Sequence, residues 1–288
     1  MRCWRASLHG LVLILMAALT AALGCDGGGI GDDDDDDASG DDDSAADDDD
    51  DATGDDDTTA SGNCTGGGGS VPGGQFFVVQ ETSAWLYVPT APVPCAPLLM
   101  FGHGGGSPGG ALDGVWDDSF HTELPERAEQ QGFVFVVPGL EEGPSIEHGW
   151  LASDTVVLDG MIDAAGALVD IDLDNVIFAG TSSGGHMAAW YGLYAPERLS
   201  HVAVLSAGLG GAGFDYPVVE PDPKLPFYVG HDPDDGIVPY SYSEDLAVAL
   251  EWHDHEFLFE DLDSAGENNH GWTPDTTDAV LSWWLGGG

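Results

Sequence analysis

A serine, a loop of aspartates and a late histidine carry the chemistry this chain can offer. Ser182 sits in Gly180-Thr181-Ser182-Ser183-Gly184, a G-x-S-x-G pentapeptide. The apolar run Val176-Ile177-Phe178-Ala179 precedes it, and the helix-like run His186-Met187-Ala188-Ala189-Trp190-Tyr191 follows. A serine hydroxyl is a poor nucleophile at neutral pH; it needs a base to take its proton and an acid to orient that base. Acyl transfer also builds negative charge on the substrate carbonyl oxygen, which preorganised N–H groups must stabilise. The candidate acids are Asp232, Asp234 and Asp235, in Gly230-His231-Asp232-Pro233-Asp234-Asp235-Gly236-Ile237-Val238-Pro239. A base that follows this loop is His253, His255 or His270. The candidate N–H donors are the backbone of Ser183 and the glycines of His103-Gly104-Gly105-Gly106.

Such loops need a frame. Short apolar runs at 76–79 and 84–88 read as a hairpin, and 98–101, 133–137, 201–205, 227–229 and 256–260 read as strands. Helices are expected at 124–131, ending at Gly132, and at 242–252 and 276–285. Another is expected at 155–169, where Val156, Val157, Met161, Ile162, Ala165 and Leu168 recur at helical spacing. Apolar strands alternating with helices predict an α/β fold with a mostly parallel sheet covered on both faces. Reactive groups then belong in loops after the carboxyl ends of the strands. His253 and His255 precede the last strand, at the other end of the sheet, and read as surface residues. His270, in Glu267-Asn268-Asn269-His270-Gly271-Trp272, follows that strand.

These stretches together resemble secreted serine esterases of the polyhydroxyalkanoate depolymerase and feruloyl esterase type. The matching segments are 98–106, Ile171-Asp172-Leu173-Asp174-Asn175-Val176 leading into 180–188, the helix 153–169, and 235–239. The resemblance covers most of residues 76–285, with the serine region its specific part. It implies an α/β-hydrolase fold with little or no lid. It also implies the chain order serine, acid, histidine, with Ser182 as nucleophile and His270 as base. Asp235 is the acid favoured by its spacing to Val238-Pro239, with Asp232 next. Ser183 and Gly105 or Gly104 are the implied oxyanion donors, since the His103 loop is similar to the H-G-G-G loop of lipases and esterases. The implied reaction is hydrolysis of a carboxylic ester, small or polymeric, with no cofactor. This sequence departs from the pattern in its longer interval from Gly230 to Asp235 and in Asn-Asn-His-Gly-Trp around the histidine. A serine peptidase on the same fold and a non-catalytic surface-binding lipoprotein are the alternative readings.

The N-terminus predicts export. Arg2 and Arg5 precede the apolar run 11–19, as in a signal peptide spanning residues 1–24. Ala22-Leu23-Gly24-Cys25 resembles a bacterial lipoprotein box, which implies a lipidated Cys25 and a membrane or cell-surface anchor; the alternative is plain secretion. Residues 25–74, dominated to residue 62 by Asp, Gly, Ala, Ser and Thr and ending in a Gly/Ser/Pro run, read as a disordered tether before a catalytic domain at 75–288. The aspartate runs are too uniform for a dedicated calcium site. Fifty-two acidic residues face five basic ones, for a formal charge of −47. Beyond the leader the only Lys or Arg residues are Arg127, Arg198 and Lys224. No positive groove is available for nucleic acid. Cys64 and Cys95 remain as an even pair, expected to form a disulfide in an oxidising compartment. No Cys/His spacing suggests a metal.

Overall fold

Eight strands form one sheet in the order β1-β2-β4-β3-β5-β6-β7-β8. β1 (Gly73–Val79) and β2 (Thr82–Val88) make an antiparallel hairpin, and β2 pairs antiparallel with β4 (Val134–Pro138). From β4 the sheet is parallel through β3 (Ala96–Gly102), β5 (Ile171–Thr181), β6 (His201–Leu205), β7 (Phe227–His231) and β8 (Phe257–Asp261). The computed structural model describes residues 63–68, 72–80, 82–105, 123–139, 150–210, 222–264 and 267–286. The expected leader, Cys25 and most of the tether lie outside the described residues, as do Gly106 and the stretch 211–221, where the sequence leaves room for a small lid. No helix among the described residues is long and apolar enough to cross a membrane.

The central strands are apolar on both faces because both faces are covered. On β5, Val176 and Phe178 face one core and Ile177 and Ala179 the other; β3 and β6 alternate likewise. One core lies beneath α2 (Thr155–Leu168), α3 (Ser183–Tyr194) and α4 (Ser241–Trp252). The other lies beneath α1 (Leu124–Gln131) and α5 (Pro274–Leu285), through Leu124, Ala128, Val280, Leu281 and Trp284. α3 is buried on all sides, from Gly184 to Gly192. It is apolar all round, as a helix enclosed by the core must be. This is the α/β-hydrolase fold, as the sequence predicts. The chain leaves β3 towards β4 on one side and returns to β5 on the other, so loops after β3 and β5 flank a topological switch point, where such sheets bind ligands.

The packed chain starts before residue 75. Leu173 donates its N–H to the Asn63 carbonyl (3.1 Å) and Thr65 donates its own to Ile171 (3.0 Å), laying the supposed linker along the start of β5. Cys64 and Cys95 form a disulfide. Closing about 30 residues of chain stabilises the fold by ~3–4 kcal/mol in the loop-entropy model. Asp170 braces both flanks, accepting from Gly66 N–H (2.7 Å) and Cys95 N–H (3.0 Å). A Gly-rich stretch can dock by its backbone even where its side chains have little to pack. With few cations available, tyrosine hydroxyls take up carboxylates instead. Tyr87 donates to Glu129 (2.8 Å), Tyr191 to Asp159 (2.5 Å), Tyr228 to Glu260 (2.6 Å), and Tyr240 to Asp261.

Candidate active site

Ser182 is the single residue between β5 and α3, with φ 54° and ψ −119°. Positive φ in a non-glycine residue costs about 1–3 kcal/mol and persists only where the surroundings impose it. Here Ser182 donates its N–H to Leu205 (2.9 Å) and its carbonyl accepts from His186 N–H (3.0 Å). Glycine is required at its flanks. A Cβ on Gly180 would lie 2.2 Å from the Gly184 carbonyl oxygen, and one on Gly184 would lie 2.1 Å from that of Gly102. The turn is therefore a steric product of the pentapeptide. It also sets Ser183 at the N-terminus of α3, where backbone N–H groups lack intrahelical partners and carry partial positive charge.

The loop after β3 lies against this turn. A Cβ built on Gly104 would sit 3.5 Å from the Ser182 Cβ, and one on Gly105 would sit 3.4 Å from that of Ser183. His103 is buried, with Nδ1 2.9 Å from the Gly104 carbonyl. The Trp150 indole N–H donates to the His103 carbonyl (3.0 Å), and the Trp150 backbone N–H to Ser183 Oγ (3.2 Å). In a trans peptide the C=O and N–H point in opposite directions. Fixing these two carbonyls therefore fixes the N–H groups of Gly104 and Gly105. The sequence reading passed over Trp150; it stands 47 residues from His103, and nothing local marks it.

The acid and histidine loops meet at the ends of β7 and β8. His270 Nδ1 lies 2.7 Å from Asp235 Oδ2. A carboxylate only accepts, so Nδ1 carries the proton and Nε2 is left as the basic nitrogen. Asp235 Oδ1 accepts from the N–H groups of Ile237 (2.8 Å) and Val238 (2.9 Å). Burial pushes the Asp235 carboxyl up, but the N–H donors from His270, Ile237 and Val238 outweigh it and hold it below the usual aspartate range. The histidine loop is shaped by Asn268 (φ 65°) and Asn269 (φ 55°) in left-handed conformation, which asparagine tolerates. Gly236 N–H donates to the Asn268 carbonyl (2.8 Å), and Trp272 packs edge-on against Phe101 of β3, 5.0 Å between ring centres.

The other loop groups do different work. Asp232 does not reach for His270. It is buried, accepting from Asp234 N–H (2.8 Å) and Ser264 N–H (2.7 Å), so it ties the acid loop to the chain after β8. His231, at the end of β7, is fully buried with Nε2 3.0 Å from Asp235 Oδ2. Requiring the base to follow the acid removed it from the sequence reading, although it stands four residues before Asp235. His255 is also buried, contrary to expectation. Its Nδ1 lies 2.9 Å from the Leu225 carbonyl and its ring stands edge-on to Phe227 at the amino end of β7, the opposite end of the sheet from Asp235. Among the described residues no group of His, Cys, Asp and Glu is arranged to hold a metal ion.

No model of a protein family matches the chain. An 83-residue stretch is 35% identical to a 2-hydroxy-6-oxononadienedioate/2-hydroxy-6-oxononatrienedioate hydrolase of Pseudomonas putida; it covers 27% of this chain and 29% of that relative. Among solved structures the fold is similar to a thermostable esterase (TM-score 0.51, 18% identity), over 74% of this chain and 62% of that one. It is similar to a ferulic acid esterase of the anaerobic fungus Anaeromyces mucronatus (TM-score 0.54, 13% identity, 73% and 88% covered). It is also similar to a thermophilic esterase of Thermogutta terrifontis (TM-score 0.52, 17% identity, 73% and 92% covered).

Proposed function

We propose that this chain hydrolyses carboxylic esters through an acyl-enzyme on Ser182. The observations that carry the reading are the 2.7 Å Asp235–His270 pair in the loops after β7 and β8, and a strained serine at the start of a buried helix after β5. Ser182 Oγ attacks the ester carbonyl carbon while His270 Nε2 takes its proton. Negative charge forms on the carbonyl oxygen, facing the N–H groups of Ser183 and of Gly105 or Gly104. As the carbon–oxygen bond to the alcohol breaks, His270 returns the proton to the departing oxygen. Water then attacks the acyl-enzyme with His270 again as base, releasing the acid and restoring Ser182. Asp235 orients His270 and stabilises its imidazolium.

The substrate is an ester with no negative charge near the scissile bond. Arg127 is held by Asp278 (2.6 Å) and Glu123 (3.1 Å), and Arg198 by Asp163 (2.6 Å). Lys224 precedes β7, at the end of the sheet away from Ser182. No other Lys or Arg follows residue 5, so a substrate carboxylate has no Lys or Arg to meet. Feruloyl, acetyl and hydroxyalkanoate esters all fit this class, in keeping with a polyhydroxyalkanoate depolymerase or feruloyl esterase type. We also propose export and anchoring through lipid on Cys25; the Cys64–Cys95 disulfide is the structural feature consistent with an oxidising compartment. The test is labelling by a fluorophosphonate probe together with turnover of p-nitrophenyl esters and peptide amides. Labelling and ester turnover that both vanish in Ser182→Ala support the reading; amide turnover exceeding ester turnover, or activity surviving in the variant, overturns it.

A further inference from the structure

Asp235 Oδ2 receives two imidazoles, and the reaction above uses only one. His231 Nε2 lies 3.0 Å from Asp235 Oδ2 and 3.2 Å from the Val238 carbonyl. Both partners only accept, so Nε2 carries the ring proton. On the other side His231 Nδ1 lies 2.6 Å from Ser243 Oγ on α4, and that hydroxyl donates to the Ala207 carbonyl after β6. The ring is therefore clamped between α4 and the acid loop, and Tyr240 stands edge-on to it at 5.5 Å. The charged or titratable groups around it are Asp235, His270, Tyr240 and His186. Both His231 and the Asp235 carboxylate are sealed from solvent.

We propose that His231 is a positioning residue for the esterase reaction, donating Nε2–H to Asp235 Oδ2 so that the carboxylate is fixed for His270. The inference rests on the esterase reading and deepens it. Four N–H groups then hold the carboxylate: Ile237 and Val238 on Oδ1, His231 and His270 on Oδ2. The two backbone donors fix one oxygen; His231 stops the other from swinging away when His270 turns between its two proton-transfer partners. Burial lowers the His231 pKa against the opposing pull of Asp235.

The test compares His231→Leu, His231→Gln and Ser243→Ala in ester turnover across pH, with melting temperatures measured in parallel. His231→Leu removes the donor and should lower kcat about 10–100-fold, as loss of a supporting hydrogen bond does at comparable sites, with KM little changed. Asp235, short of one N–H, becomes more basic and holds the protonated state of its partner more strongly. The acidic limb of the kcat/KM profile should then move upward by about half a pH unit. His231→Gln keeps an amide N–H at similar reach and should recover most of kcat and the original limb. Ser243→Ala should give a smaller loss with a shift of the same sign, and it carries the test if His231→Leu does not fold. Wild-type kcat and an unmoved limb in His231→Leu, or equal losses in the Leu and Gln variants without a shift, overturn the proposal while leaving the esterase reading intact. Activity surviving in Ser182→Ala overturns both.

Discussion

The two halves of the candidate site are held by different physics. Around Ser182 the constraint is steric: backbone carbonyls stand where Cβ atoms on Gly180 and Gly184 would be, and the serine is left in a conformation it would not choose alone. Around Asp235 the constraint is polar: four N–H donors converge on one buried carboxylate, from segments between His231 and His270. A steric site fails by not folding when its small residues grow. A polar site fails by degrees, as its groups drift or change protonation. The difference teaches where to look for loss of stability and where for loss of rate.

Chemistry gives the largest contrast. Ser182→Ala should abolish ester turnover and probe labelling, by about 10⁴–10⁶-fold, with the melting temperature nearly unchanged, because alanine only shortens the side chain. Asp235→Asn should follow at about 10⁴-fold, since an amide cannot both accept the His270 N–H and stabilise the imidazolium. Asp232→Asn should behave otherwise. Its carboxylate receives two backbone N–H groups and touches no catalytic group, so the variant should melt lower while the folded fraction keeps most of its kcat. Equal kcat losses in the two Asn variants would mean that both acids serve the histidine, and the division drawn here would fall.

Stability should show the reverse. Gly180→Ala and Gly184→Ala each place a methyl group within 2.2 Å of a backbone carbonyl oxygen, a clash no rotamer relieves. Either should cost several kcal/mol or prevent folding, well beyond the ~1 kcal/mol of a typical substitution. A soluble, active Gly184→Ala enzyme with an unchanged melting temperature would show that the turn is not sterically determined.

This contrast also explains what could be read from the chain. The turn was legible because its cause is local: five residues, an apolar strand before and a helix after. The parallel sheet was legible for the same reason, since each strand is a short apolar run bounded by breakers. The polar half was only partly so. Position after the right strands pointed to His270 and to an acidic loop, and spacing favoured Asp235, the one whose carboxylate lies at the His270 ring. The burial of Asp232 and His255 was missed, because acids and histidines in a strongly acidic chain look like surface. Trp150 and Ser243 gave no signal, as each acts through a partner more than ten residues away. Docking of residues 63–67 was hidden by glycine and threonine, which bond through backbone atoms that sequence type does not reveal.

A smaller effect sharpens the steric side. Trp150→Phe keeps an aromatic ring but removes the indole N–H that holds the His103 carbonyl. If the N–H direction of Gly104 depends on that bond, kcat should fall roughly ten-fold, with KM and melting temperature little altered. An unchanged kcat would mean that contact of the glycines with Ser182 and Ser183 is enough to hold the loop.

The smallest effect separates the halves by pH. Tyr240 stands against His231 and donates to Asp261 at the end of β8, so it braces the polar half. Burial and then the Asp261 carboxylate push its phenol up to about 12 from an ordinary value near 10. A phenol raised in the folded state contributes stability that is fully present below the unfolded value and is lost as pH rises through the folded one. The contribution should therefore be constant below pH ~10 and fade between ~10 and ~12. The hydroxyl is largely open to solvent, so screening keeps the effect to roughly a degree or two in melting temperature. Tyr87 shifts in the same range through burial and Glu129, so the alkaline slope of the wild type alone does not isolate Tyr240. The informative quantity is the difference between wild type and Tyr240→Phe. A gap steady to pH ~10 that closes by ~12 ties alkaline softening to the polar half; a gap independent of pH would mean that Tyr240 acts only through the packing of its ring.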